Sequence, residues 1–170
     1  MTNILIINTG GTFNKRYNPL KGELEVPKDS LALENILKYC YNLEYEIKNI
    51  IHKDSLDMDD CDREEIVSLI EASPQDKILI VHGTDTMDKT AEFLEKHINT
   101  KTILLTGAMV PYSIDSVEAN TNLSVSIGYL LNSCQRGIYI SMHGLVDVHN
   151  KVFKNRKIGV FQISTCRDKT

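Results

Sequence analysis

Threonine and glycine recur in short clusters along this chain, and each cluster closes an apolar run. Thr9-Gly10-Gly11-Thr12 follows Ile4-Leu5-Ile6-Ile7, and His82-Gly83-Thr84-Asp85-Thr86-Met87 follows Ile78-Leu79-Ile80-Val81. Thr106-Gly107-Ala108-Met109 follows Ile103-Leu104-Leu105, and Ser141-Met142-His143-Gly144 follows Ile138-Tyr139-Ile140. A threonine hydroxyl attacks poorly until a base takes its proton, and the intermediate then needs oriented N–H donors. Thr12, preceded by Gly10 and Gly11, sits in backbone able to supply such donors. Thr84-Asp85 sets a second hydroxyl beside a carboxylate. Gly11 and Gly83 let main chain approach a bound ligand closely. Nucleophilic catalysis by an activated hydroxyl is the chemistry these pieces suit. Neither GxxxxGK[ST] nor GxGxxG occurs, which weakens any phosphate-cradle reading.

Four such clusters need elements that bring them together. The apolar runs are continuous rather than alternating, as in strands buried on both faces. Residues 45–51 form a weaker strand candidate. Helical spacing appears in Leu33, Ile36, Leu37 and Cys40, in Ile66, Leu69 and Ile70, and in Ala91, Leu94 and Ile98. Residues 117–131 carry a further helical pattern at Leu123, Ile127, Leu130 and Leu131. The alternation predicts an α/β doubly wound domain with a mainly parallel sheet and helices on both faces. In such a sheet the carboxyl ends of the strands share one edge, where ligands bind.

Length and composition set the frame. At 170 residues, 42% apolar and 25% charged, the chain reads as one domain over residues 1–170, with no second domain. A net charge of −4 gives no basic footprint for nucleic acid. The apolar runs are far shorter than the ~20 residues of a membrane span. The first residues lack a basic n-region and a signal-length apolar stretch, so a cytoplasmic setting is expected. Cys40, Cys61, Cys134 and Cys166 stand far apart and form no CxxC pair, and are expected to be reduced thiols.

The two clusters at residues 9–12 and 82–87 look like the two signatures of the bacterial-type L-asparaginases, asparaginase/glutaminases and related amidohydrolases. Ser55-Leu56-Asp57-Met58-Asp59-Asp60 resembles that family's serine-containing substrate loop. Gly107-Ala108-Met109, with Pro111 and Asn122-Leu123, resembles its next loop, and residues 137–154 keep its spacing up to a lysine. The resemblance implies Thr12 as nucleophile on a side-chain amide, with Thr84, Lys154 and Asp85 as a second triad that polarises a hydroxyl or water. It implies Ser55 for the substrate α-carboxylate, Asp85 for the α-ammonium, and the backbone of Ala108 beside the amide. Tyr17, within a short lid-like segment at residues 13–27, matches the family's assisting tyrosine only loosely. Leu56 stands where many members carry a polar residue, and Val110 where arginine is common. The family's second domain, which completes a neighbouring subunit's site, is not represented.

Other candidates weigh less. Asp54, Asp57, Asp59, Asp60 and Asp62 lack the central glycine of a calcium loop and read as a helix N-terminus favoured by the dipole. His82 reads as a hydrogen-bonded core histidine, and His143, His149 and Asp147 do not make a metal site. Tyr39, Tyr41, Tyr45 and Leu37 read as packing or interface residues. The expected function is hydrolysis of L-asparagine or a related side-chain amide to aspartate and ammonia, without metal or organic cofactor. An asparagine-like amino acid is the expected partner, and a homo-oligomer is left open. A non-catalytic amino-acid-binding module and a subunit completed by another chain are the alternatives.

Overall fold

The computed structural model describes residues 3–164. Isoleucine and leucine at residues 4–7, with no polar residue between them, require apolar layers on both sides. They form the middle of β1 (Asn3–Gly10), which lies inside a six-stranded sheet. The other strands are β4 (Glu44–Lys53), β5 (Lys77–Val81), β6 (Thr102–Thr106), β7 (Gly137–Met142) and β8 (Leu145–Val148). The order is β4-β1-β5-β6-β7-β8, parallel throughout except for β8, which runs antiparallel to β7. Two short antiparallel hairpins lie outside this sheet: β2 (Arg16–Asn18) with β3 (Glu23–Glu25), and β9 (Val152–Asn155) with β10 (Val160–Ile163).

Helices cover both faces. Leu5 and Ile7 of β1 pack with Ile66 and Ile70 of α2 (Asp60–Ala72) and Ala91 and Leu94 of α3 (Met87–His97). Ile4 and Ile6, pointing the other way, pack with Leu33 and Ile36 of α1 (Leu31–Leu37) and Leu123 and Ile127 of α4 (Ser116–Asn132). Each fully buried Leu or Ile contributes ~1.5–3 kcal/mol, so the sheet is a firm platform for the loops at its edge. The chain leaves β1 toward α1 on one face and leaves β5 toward α3 on the other. The crevice of a doubly wound sheet opens at such a divergence, here between the carboxyl ends of β1 and β5.

The doubly wound α/β expectation holds, and all five expected strands are present. The weaker candidate is β4, an edge strand whose burial never becomes continuous. Of the residues read as packing or interface, Leu37 is core, whereas Tyr39, Tyr41 and Tyr45 are exposed and stand outside the core. Leu131, counted with the helical stripe, is also exposed, because it falls beyond the face that Leu130 buries. Cys40, Cys61 and Cys134 are free thiols, while Cys166 lies outside the described residues. Among the described residues no helix is long and apolar enough to cross a membrane.

Candidate active site

β1 ends at Gly10, and Gly10 and Gly11 have φ of 97° and 70°, a turn that side chains rarely tolerate. A Cβ on Gly11 would lie 2.5 Å from the backbone nitrogen of Gly83, so the loop after β1 presses directly on the loop after β5. The Gly11 N–H donates to the carbonyl of Lys53 at 2.9 Å, which ties the same loop to the end of β4. Thr12 then opens a 3₁₀ turn over Thr12–Asn14. Buried Asn14 fixes that turn by donating to the Gly10 carbonyl (2.7 Å) and to Asn8 Oδ1 (2.8 Å). Thr9 Oγ1 donates to the Val81 carbonyl at 2.9 Å, bolting the two strand ends together.

Ser55 enters from the loop after β4 and is almost fully buried. Only glycine fits at position 83, since a Cβ there would meet Ser55 Cβ and Oγ at 2.6 Å. Ser55 Oγ accepts from the Asp85 N–H (3.2 Å), and its carbonyl accepts from Thr86 Oγ1 (2.7 Å). Residues 11, 55 and 83–86 therefore form one continuous floor. Ala108 is buried, and Gly107 approaches so closely that a Cβ would sit 2.3 Å from the His82 carbonyl. The four loop clusters and the Ser55 loop meet at the carboxyl edge of the sheet, as the sequence predicts.

The strongest polar geometry comes from β9. Lys154 Nζ donates to Thr84 Oγ1 at 2.9 Å and to Asp85 Oδ1 at 2.8 Å, with only 12% of its side chain exposed. Arg156, which no sequence motif singles out, donates to Asp85 Oδ1 and to the Asp85 carbonyl, each at 2.8 Å. Arg156 opens the turn that follows β9 (Val152–Asn155), so no strand period links it to Lys154, and only the folded hairpin brings it to Asp85. The hydrogen bond from Lys154 holds the Asp85 carboxyl below the usual carboxylate range, and Arg156 pulls the same way against the opposing effect of burial. Asp85 is thus anionic at neutral pH, and Thr84 Oγ1 has a cation at hydrogen-bond distance. Such a hydroxyl is well placed to lose or share its proton.

Tyr17 lies on β2 and is exposed, and among the described residues no hydrogen bond joins its side chain to the loops that form the site floor. The root of its hairpin is nonetheless anchored: Lys15 Nζ pairs with Asp54 Oδ2 at 2.6 Å, and the Lys15 carbonyl accepts from Ser113 Oγ at 2.7 Å. Leu56 and Val110 are exposed, so neither position places a polar group toward the floor. The acidic run caps helices: Asp54 accepts from the Leu56 N–H, and Asp59 and Asp62 form a reciprocal capping box at the start of α2. Among the described residues no group of three His, Cys, Asp or Glu could hold a metal ion. His143, His149 and Asp147 face separate partners, Glu118, Glu95 and Lys151. His82 is a core residue whose Nε2 pairs with Thr90 Oγ1 at 2.9 Å, and complete burial pushes its pKa down to about 4.

The family model for the N-terminal part of asparaginase matches residues 3–163. The chain belongs to the asparaginase family. A probable periplasmic L-asparaginase of Haemophilus influenzae is 31% identical over 86% of this chain and 44% of its own length. A glutamyl-tRNA(Gln) amidotransferase subunit of Methanococcus maripaludis is 28% identical over 85% of this chain and 35% of its own length. The thermostable L-asparaginase of Thermococcus kodakarensis shares the fold, with a TM-score of 0.82 at 24% identity, over 95% of this chain and 51% of that one. The chain thus spans about half, or less, of the length of these relatives.

Proposed function

We propose that this asparaginase-family chain hydrolyses the side-chain amide of L-asparagine, or of a closely related amino acid, to the acid and ammonia. The observation that carries the reading is the Lys154–Thr84–Asp85 cluster, set beside the glycine floor from which Thr12 emerges. Thr12 Oγ attacks the amide carbonyl, ammonia departs with a proton, and an ester to Thr12 remains. Water then cleaves that ester and restores the hydroxyl. Thr84, polarised by Lys154, relays the protons, and free backbone N–H groups of the floor stabilise the oxyanion. Ser55 and Asp85 receive the α-carboxylate and α-ammonium, and the backbone of Ala108 lies beside the amide. Leu56 removes a polar contact to the head group, and a missing charge-assisted hydrogen bond costs ~1.5–3 kcal/mol. Half-saturation is therefore expected tenfold to a hundredfold above that of a site with a polar residue there. The free thiols of Cys40, Cys61 and Cys134 suit a reducing, cytoplasmic setting.

Ammonia release from L-asparagine and L-glutamine tests the reading. Thr12→Ala is expected to abolish release while leaving the fold intact. No release by wild type at high concentrations of both amides would falsify the activity. Undiminished release by Thr12→Ala would instead assign the attack to another group. Saturable asparagine binding without ammonia would mark a binding module. A second reading has its own support: Ile114 and Val117, beside the residue 107–110 loop, are two-thirds exposed, and one relative is named as a subunit. On that reading activity appears only when a second chain is present.

A further inference from the structure

The turn between β7 and β8 has two residues, His143 and Gly144, with φ of 53° and 81°. Such turns favour asparagine or aspartate before glycine, because both central residues need positive φ. Among the described residues His143 is the one non-glycine residue in that conformation. A histidine there needs a reason, and its ring supplies one. Nδ1 accepts from the Phe161 N–H at 3.2 Å, so the hydrogen of the neutral ring sits on Nε2. Nε2 donates to Glu118 Oε1 at 2.9 Å. That carboxylate also receives the N–H groups of Met109, on Oε1, and Val110, on Oε2, each at 2.9 Å. A second route joins the same partners: the His143 N–H donates to Asn122 Oδ1, and Asn122 Nδ2 donates to the Gly107 carbonyl, both at 2.9 Å.

We propose, resting on the amidohydrolase reading, that His143 is a positioning residue that locks the residue 107–110 loop to the hairpin carrying Lys154. Phe161, which gives its N–H to His143, is the cross-strand partner of Lys154 in β9–β10. The ring therefore lies between the loop that flanks the amide and the strand that holds the amine on Thr84. Its edge-on contact with buried Phe161, with ring centroids 5.8 Å apart, fixes the imidazole plane. Among the described residues no hydrogen bond joins Glu118 or His143 to Thr12 or Thr84, so their effect passes through loop and strand geometry.

Two variants separate the contacts. His143→Ala removes both side-chain bonds. His143→Asn tolerates the positive φ and keeps an acceptor near the Nδ1 position, but is too short to reach Glu118. Amide hydrogen exchange at Met109 and Val110 is expected to accelerate at least about fivefold in both, with Leu79 and Ile80 of β5 unchanged. Exchange at Phe161 accelerates in His143→Ala only. kcat for asparagine is expected to fall about tenfold in both, with KM within about twofold. His143→Gln, whose terminal amide nitrogen stands near the imidazole Nε2, recovers kcat to within about threefold of wild type by restoring the donor to Glu118. Wild-type exchange at Met109 and Val110 in both variants overturns the proposal. So does a loss of protection that extends equally through β5, which marks general destabilisation. If wild type releases no ammonia, the amidohydrolase reading falls, and exchange at Met109, Val110 and Phe161 still decides whether His143 couples the two elements.

Discussion

Asp85 receives two cations on one oxygen, and the two differ sharply in burial. Lys154 is 12% exposed and also holds Thr84, whereas Arg156 is 60% exposed and among the described residues donates hydrogen bonds to Asp85 alone. Solvent screens the second contact, so Arg156→Gln is expected to change kcat/KM for asparagine only about two- to fivefold. Lys154→Met, which strips Thr84 of its cation, is expected to nearly abolish turnover without unfolding the protein. Both substitutions shift the acid limb of the pH–rate profile in one direction. The Asp85 carboxyl titrates below its ordinary range, so the anion is lost only when pH falls through that depressed value. Removing either cation raises the value and moves the limb to higher pH, with Lys154 giving the larger displacement. A limb that stays in place in Lys154→Met would exclude Asp85 as the group that controls it.

Glycines at the ends of strands differ from glycines within helices in what they exclude. Gly107, after β6, has the His82 carbonyl 2.3 Å from where a Cβ would stand, whereas Gly128 in α4 has nothing within 4 Å. Gly107→Ala is therefore expected to destabilise by ~1–3 kcal/mol through overpacking. Gly128→Ala is expected to stabilise by ~0.5–1 kcal/mol through helix propensity. Urea unfolding of the pair checks both signs. The same contrast explains what the sequence discloses. β1, β5, β6 and β7 are legible because burial on both faces makes them continuous apolar runs, and their ends locate Thr12, Thr84 and Asp85. β2, β3 and β8–β10 have only three or four residues each and are defined by the strand they pair with, which no local pattern encodes. Ser55 and Lys154 depend on the placement of β4 and β9, so only the family resemblance reaches them. The partnership of Glu118 with His143 spans 25 residues and exists only in the folded chain.

For the molecule as a whole, His82 sets a pH window of stability. Its folded pKa is about 4 because no water reaches it, against 6.5 for the exposed group. Between those values the unfolded chain takes up the proton and the folded one refuses it. Stability is complete above the higher value and declines as pH falls toward the lower, by up to ~3 kcal/mol. The depressed carboxyls of Asp54, Asp62 and Asp85 act further down the scale, since their contribution is lost only as pH falls through their folded values. Urea midpoints measured between pH 7.5 and 4.5 should therefore fall with a slope near one proton. His82→Gln should flatten that slope while lowering the plateau. An unchanged slope in the variant would assign the proton to another group.

The position of β1 between β4 and β5 has a consequence for how the protein is made. A ribosome delivers β1 before its parallel partners, which begin at Glu44 and Lys77, and the Gly83 backbone that Gly11 presses against comes later still. At ~5–20 residues per second, about 4–15 s separate the appearance of Ile7 from that of Ile80. Through that interval the continuous apolar tetrad has at most β4 to pair with, and its other edge stays open until β5 appears. Lys154 and Arg156 arrive last among the site residues, so a nascent chain can build the floor of the crevice well before it acquires the two cations. On the amidohydrolase reading, Thr84 gains its cation only after the strands that form the floor have all been synthesised.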